Sequence, residues 1–323
     1  VYKPTICIIS PATAEANNGN WHTASRWAQM LAARHSVRIA GSWAPGDEVP
    51  DLLIALHARR SAAPLAAFRA AHPDRPAILV LTGTDLYRDI HCDNSAQASL
   101  QHADALVVLQ EAGLAELPPA LRVKAHVIYQ SAPALPPAPD AGPAIVMIGH
   151  LREEKDPLTF MRAAALAPDV PMLHIGGALD EALAAEARAA QARLPNYRWL
   201  GNVPHDEARQ QLRTSRAMAI CSRMEGGANV IIEAVTSGVP VLASDISGNR
   251  GMLGEDYEGY FPLGDAAALA ALIGRIGADP AFLERLRGQC AARAPLFAPE
   301  AEQAALLDLV DNLIFRRGSP AIN

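Results

Sequence analysis

The chain has 323 residues and a net charge of −6, with 50% hydrophobic and 19% charged residues. That length predicts two domains, each large enough to bury its own core. No Lys/Arg cluster is dense enough to follow a nucleic-acid backbone, which excludes nucleic acid as a partner. No apolar run reaches the roughly 20 residues that span a bilayer, so no stable membrane association is expected. Oligomeric state is left open.

In chain order, Val1-Tyr2-Lys3-Pro4-Thr5-Ile6-Cys7-Ile8-Ile9 has one Lys and a short apolar run, Ile6–Ile9, before Pro11. It is read as a first buried strand rather than a secretory leader. Short apolar runs then alternate with alanine-rich helical patterns. Strands are expected at Thr5–Ser10, Ser36–Ala40, Leu52–Leu56, Ala77–Leu81, Ala105–Leu109 and Ala125–Ile128. Helices are expected at Trp21–Arg34, Ala62–Ala71, Ser95–His102 and Gln110–Glu116. The stretch Ser131–Pro143 holds five prolines and reads as a semi-stiff linker.

After it the alternation restarts. Strands are expected at Ala144–Ile148, Met172–Ile175, Tyr197–Leu200, Ala217–Cys221 and Val239–Ala243. Helices are expected at Leu158–Ala165, Glu181–Ala192, His205–Thr214, Val230–Ser237, Ala266–Gly274 and Pro280–Ala292, with a last amphipathic helix at Pro299–Arg317. The expected division is residues 1–135, a Pro-rich linker 136–143, residues 144–298, and a terminal helix 299–323. Repeated strand–helix units imply an α/β protein with parallel sheets and right-handed crossovers. Two such domains leave a cleft, and ligands of open α/β sheets bind at the carboxyl ends of strands. The cysteines Cys7, Cys92, Cys221 and Cys290 form no CxxC pair, which fits a reducing cytoplasm.

Four loops fall at strand ends. Asn17-Asn18-Gly19-Asn20-Trp21-His22 opens a helix as phosphate-binding loops do, with a single glycine, and Asn20 could equally cap that helix. Thr82-Gly83-Thr84-Asp85 is either a binding loop or a turn capped by Asp85. His57, with Arg59 and Arg60, ends the preceding strand; a lone histidine there is also a common structural residue. Gly149-His150-Leu151-Arg152-Glu153-Glu154-Lys155-Asp156-Pro157 carries Arg152 and Lys155, a guanidinium fork and a point charge suited to a diphosphate. A solvated charged loop would look similar.

The most informative segment is Ser222–Ala234. Glu225 and Glu233 stand eight residues apart, with Gly226-Gly227 between them. Gly238 and Pro240 mark where the helix following the glycine pair ends. The N–H groups of Gly227, Ala228, Asn229 and Val230 lie at that helix's N-terminus, a seat for phosphate. The two carboxylates would accept hydrogen bonds from sugar hydroxyls on either side. A diphosphate between two sugars describes a sugar nucleotide. An ordinary loop-capped helix with a Glu at each end fits the string too.

Glu225-x7-Glu233, the strand ending in Gly149 with Lys155 after it, and Gly238-x-Pro240-Val241 resemble the pattern of family 4 glycosyltransferases. The resemblance implies the GT-B fold: two Rossmann-like domains with parallel sheets facing across a cleft, the nucleotide sugar held mainly by the second. It implies that Glu233 binds ribose hydroxyls and Glu225 hexose hydroxyls. Gly149, Arg152, Lys155 and the Gly226–Val230 backbone would meet the diphosphate, and the final helix would cross back onto the first domain. Three positions depart from the family pattern. His150 stands where Arg usually follows the glycine, with Arg152 as substitute. Asn18-Gly19-Asn20 replaces a glycine pair, and Thr82-Gly83 replaces a frequent His-Gly.

A narrower group, the selenosugar synthases of selenoneine biosynthesis, is similar in longer strings. These are Asn17–Ala24, Leu81–Ile90, Val127–Ala132, Gly149–Pro157 and Arg223–Asn229. That resemblance implies transfer of a hexose, GlcNAc or Glc, from a UDP-sugar to selenophosphate, giving a 1-selenosugar, UDP and phosphate. The acceptor anion would be met by Gly19, Asn20, His22, Thr82, Gly83, Thr84 and Arg88, with Arg152, Lys155, His22 and Glu225 as the catalytic set. No DxD motif occurs, so neither metal nor cofactor is expected. The alternatives are a transferase with a hydroxyl acceptor, and a two-lobed solute-binding protein. The latter predicts a leader and no phosphate seat, against this reading.

Overall fold

The computed structural model describes residues 2–12, 19–138 and 141–316. Asn17 and Asn18 of the first loop lie outside the described residues. The chain divides into two units. One comprises Val1–Ser131, Glu225–Gly227 and Pro299–Asn323; the other comprises Ala132–Met224 and Ala228–Ala298.

The first unit runs β1 (Thr5–Ile9), α1 (Gly19–Leu31), β2 (Ser36–Ala40), β3 (Leu52–Leu56), α2 (Ala62–Ala71), β4 (Ala77–Leu81), α3 (Ile90–Cys92), α4 (Asn94–His102), β5 (Ala105–Val108), α5 (Gly113–Glu116) and β6 (Ala125–Val127). Its six strands are parallel, in the order β2-β1-β3-β4-β5-β6. β3 and β4 are buried at every residue, as expected of strands covered on both faces. Their side chains alternate between two cores. Leu53, Ala55, Leu79 and Leu81 pack with Leu65, Phe68 and Leu100 on one face. Ile54, Leu56, Ile78 and Val80 pack with Ala24, Trp27 and Leu31 on the other.

Two local expectations change. The helix expected from Gln110 begins only at Gly113, because the Gln110 amide is used elsewhere. Its Oε1 accepts from Gly113 N at 3.0 Å and its Nε2 donates to the Tyr87 hydroxyl at 2.7 Å. Asp85 does not cap an ordinary helix. It opens a π-helical turn, Asp85–Asp89, and is fully buried.

The second unit runs β7 (Ile145–Ile148), α6 (Pro157–Leu166), β8 (Met172–Ile175), α7 (Glu181–Arg193), β9 (Tyr197–Gly201), α8 (His205–Arg213), β10 (Ala217–Ile220), α9 (Asn229–Thr236), β11 (Val241–Ser244), α10 (Ser247–Leu253), β12 (Tyr260–Phe261), α11 (Ala266–Ala278) and α12 (Pro280–Arg293). Its sheet is parallel, in the order β12-β11-β10-β7-β8-β9. α9 stops at Thr236, and Gly238 takes the left-handed φ of 71°. The expected strand there starts two residues late, at Val241, once Pro240 has been passed. α10 and β12 were not expected. The two glycines of Ser247-Gly248-Asn249-Arg250-Gly251 hide the helix in the sequence, and Asn249 Nδ2 anchors it on the Ser244 carbonyl at 2.9 Å.

The proline-rich stretch lies along this unit. Leu135 N donates to the Thr236 carbonyl at 3.1 Å, and Arg209 Nη2 donates to the Pro133 carbonyl at 2.9 Å. Among the described residues, no single helix is long and apolar enough to cross a membrane.

The last helix, α13 (Pro299–Arg316), belongs by its contacts to the first unit. Leu306, Leu309 and Val310 join the core formed by Trp27, Leu31, Ile6 and Ile8. Glu302 is 1% exposed. It accepts from Trp27 Nε1 at 2.7 Å, Arg26 Nε at 2.8 Å, Ser131 N at 2.7 Å and the Ser131 hydroxyl. A buried carboxylate is tolerated when donors replace its hydration. Replacing Glu302 by Ala strands those donors, and the unfolding free energy should fall by about 3 kcal/mol. Urea denaturation followed by circular dichroism measures it. Glu302→Gln, which keeps one acceptor oxygen, for the Ser131 donors on one side or for Trp27 on the other, should lose less than Ala.

Candidate functional site

In the second sheet, β8 and β9 succeed β7 on one side and β10 lies on the other. The chain's winding reverses between β7 and β10. Crossovers diverge at such a point and leave a crevice beyond the strand ends, where ligands of open α/β sheets bind. The two loops leaving β7 and β10 carry most of the residues singled out above.

After β7, Gly149 lies beside the aliphatic stem of Lys155; a Cβ there would meet Lys155 Cγ and Cδ at 3.5 Å. Arg152 is extended and precedes a 3-10 turn, Glu153–Lys155. Its Nε is buried and has no hydrogen-bond partner among the described residues; the nearest acid, Glu154, is 4.0 Å away. The turn ends at Asp156 in the left-handed region, with φ 44°. Asp156 Oδ2 accepts from the Thr159 hydroxyl at 2.9 Å and lies 3.4 Å from Arg223 Nη2. Arg223 N also donates to the Glu154 carbonyl at 2.8 Å, which ties the β10 loop to the β7 loop.

The β7 loop is held from beneath. His174, on β8, is fully buried between Tyr197 and Gly149. Its Nε2 lies 3.1 Å from the Gly149 carbonyl and its Nδ1 3.0 Å from the Tyr197 hydroxyl. Burial pushes the imidazole down to about 4, so it is neutral. A carbonyl only accepts, so Nε2 carries the proton and Nδ1 accepts from Tyr197. Gly176 completes the support. A Cβ at that residue would fall 2.0 Å from the Gly149 oxygen, so only glycine lets the chain after β8 pass this close.

After β10, Ala228 caps α9, and its carbonyl accepts from Ile231 N at 2.9 Å. Asn229 and Val230 are the first helical residues, whose N–H groups have no acceptor within a helix. Glu233 follows one turn later, 9% exposed on a helix whose Ile231, Ile232, Ala234 and Val235 are buried. Its Oε1 lies 2.7 Å from Nε2 of His205, the first residue of α8. Nδ1 of His205 lies 3.9 Å from the exposed Asp206. The bond from Glu233 raises the His205 pKa above its ordinary value, outweighing partial burial. Sequence reading did not select His205. It begins a helical pattern after Pro204, and no spacing connects position 205 to position 233.

Glu225, Gly226 and Gly227 cluster with the first unit. A Cβ at Gly226 would come within 2.5 Å of the Thr82 carbonyl carbon, and one at Gly227 within 2.6 Å of Leu109 Cβ. The glycine pair is thus required by close backbone approach.

The remaining first-unit residues gather at the carboxyl ends of β1, β3 and β4. Gly19, Asn20 and His22 form the first turn of α1, where the Thr23 hydroxyl donates to the Gly19 carbonyl at 2.8 Å. The Thr82 and Gly83 amides are already donated to Asp85 Oδ1, at 3.0 and 2.8 Å, and Ala58 N donates to Oδ2 at 2.8 Å. The loop's backbone therefore organises Asp85. His57 is 3% exposed and has a positive φ of 73°, unusual for a residue other than glycine. Its Nε2 lies 3.1 Å from the Thr84 hydroxyl, and Nδ1 accepts from Arg60 N at 3.3 Å. Burial lowers its pKa. Arg59 and Arg88 both bond Asp89, each at 2.9 Å. Burial acts to raise the Asp89 pKa, but the bonds from Arg88 and Arg59 prevail and hold it low. The structure thus gathers His57, Thr84, Arg59 and Arg88 around two aspartates. It gathers Gly149, Arg152 and Lys155 in the loop leaving β7, and Asn229, Val230, Glu233 and His205 around α9.

A family model described as "Glycosyl transferases group 1" matches residues 133–294. The chain is 30% identical over 149 residues to a phosphatidyl-myo-inositol mannosyltransferase of Mycobacterium leprae, covering 43% of this chain and 38% of that one. It is 30% identical over 166 residues to a D-inositol 3-phosphate glycosyltransferase of Mycolicibacterium vanbaalenii, covering 45% and 36%. The chain therefore spans less than half the length of these curated relatives. Among solved structures it is similar to a sucrose-phosphate synthase from Thermosynechococcus elongatus, with TM-score 0.78 and 18% identity over 97% of this chain and 100% of that one. It is also similar to Anabaena HepE in complex with UDP-glucose, with TM-score 0.78 and 16% identity over 96% and 100%. Those likenesses show the fold, the α/β two-domain GT-B fold.

Two titrations follow from the site. In NMR, His205 should titrate above the ordinary histidine value of about 6.5, and Glu233→Gln should bring it back down. His174 has the opposite sign. Its folded value lies below the unfolded one, so its contribution to stability is present above about pH 6.5 and is lost as pH falls toward 4. His174→Gln should flatten the stability–pH curve in that window, measured by urea unfolding at several pH values.

Proposed function

The chain belongs to the group 1 glycosyl transferases, and from that premise we propose that it transfers a hexose, GlcNAc or Glc, from a UDP-sugar to selenophosphate. The observation that carries the donor half is Arg152 Nε, a buried donor with no hydrogen-bond partner among the described residues, near Lys155 at the reversal point of the second sheet. Buried donors are rarely left unsatisfied, and an incoming diphosphate oxygen supplies the missing acceptor. In this reading Arg152, Lys155 and the Gly226–Val230 backbone hold the diphosphate. Glu233 accepts from the ribose hydroxyls and Glu225 from the hexose hydroxyls.

Selenium of selenophosphate attacks the anomeric carbon, and the bond from that carbon to the UDP oxygen breaks with its electrons going to UDP. Water then cleaves the Se–P bond, releasing phosphate and the 1-selenosugar. Negative charge grows on the leaving diphosphate in the transition state, where the fixed cations Arg152 and Lys155 stabilise it. Selenium is already nucleophilic, so little general-base help is needed. Glu225 fixes the reacting sugar, and Gly19, Asn20, His22, the Thr82–Thr84 loop and Arg88 meet the acceptor's phosphate. The strings Asn17–Ala24 and Leu81–Ile90 support this acceptor. The names of the two curated relatives, with inositol in each, favour a second reading of the acceptor, a hydroxyl in place of selenophosphate.

The deciding experiment is an anaerobic incubation with UDP-GlcNAc or UDP-glucose, with and without selenophosphate. UDP release only with selenophosphate, together with a selenium isotope pattern on the hexose mass, is expected. UDP binding without turnover would move the acceptor to a hydroxyl. Lys155→Ala should lower kcat by about 100-fold while changing donor Kd much less; equal losses in both would remove its transition-state role.

A further inference from the structure

Glu233 presents a problem for its proposed task. A carboxylate that recognises ribose must hold one orientation, yet a glutamate has three rotatable bonds. It must also keep its charge near a ligand that is itself an anion. Both difficulties point to the same neighbour. His205 Nε2 sits 2.7 Å from Glu233 Oε1, and the pair joins the first turn of α8 to the middle of α9.

Two other charges near the imidazole act in opposite directions, Asp206 favouring the charged ring and Arg209 opposing it. Asp206 stands 3.9 Å from Nδ1. Arg209, one turn along α8, is drawn away to the Pro133 carbonyl at 2.9 Å. His205 therefore faces carboxylates through both ring nitrogens. Its side chain is 48% exposed and that of Glu233 12% exposed. The histidine thus stands on the wetter side of the acid, where the core has no need of it.

We propose that His205 is a positioning residue for the nucleotide: its ring N–H fixes Oε1 of Glu233, turns the remaining acceptor sites of that carboxylate to the ribose hydroxyls, and offsets its charge beside the diphosphate. The proposal rests on the ribose role given to Glu233 above. An ionised carboxylate has about four acceptor sites, so one bond to His205 leaves enough for a vicinal diol. The bond is charge-assisted, the stronger class of hydrogen bond.

The test is calorimetric binding of UDP and 2′-deoxy-UDP to the wild-type chain, His205→Ala, His205→Gln and Glu233→Ala. Wild type should favour UDP, and Glu233→Ala should erase the preference. His205→Ala should cut the preference about tenfold, the scale of one hydrogen bond to a charged group. A glutamine amide still donates to Oε1, so His205→Gln should hold the preference while binding both nucleotides more weakly, because the positive charge is gone. A merely structural histidine would lower both affinities in parallel in both variants. His205→Ala keeping the full preference, with Glu233→Ala losing it, would overturn the positioning role and leave the donor reading intact. Equal loss in His205→Ala and His205→Gln would also overturn it. A preference surviving in Glu233→Ala would overturn the ribose assignment, and the positioning role with it.

Discussion

A parallel sheet whose winding reverses cannot close over the strand ends where the reversal occurs. In the second unit that gap falls between β7 and β10, and it determines where chemistry can be built. The crossover helices on either side diverge, so the two loops there can carry charged side chains at the strand ends. Arg152, Lys155 and the start of α9 all come from these loops. Precision then comes from below the site: Tyr197, His174 and Gly149 form a buried chain of hydrogen bonds across three strands. The β7 loop thus rests on a buried, fully hydrogen-bonded histidine.

A second theme is how the protein handles acids. Asp85 is satisfied by three backbone amides, Asp89 by two guanidiniums, Glu302 by indole, guanidinium, amide and hydroxyl, and Glu233 by an imidazole. Each solution leaves a different residual chemistry. Backbone amides fix Asp85 as scaffold. The Asp89 arrangement keeps two cations, Arg59 and Arg88, close together. The imidazole is the one partner in this group that can change charge near neutral pH.

The strand–helix alternation was legible because fully buried parallel strands are continuous apolar runs, as in Leu52–Leu56 and Ala77–Leu81. Gly238 and Pro240 were legible as a helix end because their backbone demands are local. What escaped was non-local. Gln110 delays a helix through a side-chain bond to Tyr87, and Asn249 secures one rich in glycine. For the candidate site, Arg152, Lys155 and Glu233 stand out by residue type at strand and helix ends. His205 and His174 do not, because their meaning depends on contacts 28 and 25 residues away. The Thr82–Thr84 loop was legible as a strand end, but that its amides serve Asp85 depends on a buried side chain's orientation.

Glu302 joins three points that are remote in the chain: α1 through Arg26 and Trp27, Ser131 where the chain leaves the first unit, and α13 after the second unit is complete. In sequence the second unit is inserted within the first, and Glu302 joins the stretches of the first unit on either side of it. That order matters during synthesis. Multidomain chains commonly complete their N-terminal domain first as they emerge from the ribosome. Here residues 132–298 emerge before the helix that covers Trp27 and Leu31. The core under α1 waits with its apolar face open until α13 arrives, so of the two units the one translated earlier is sealed later.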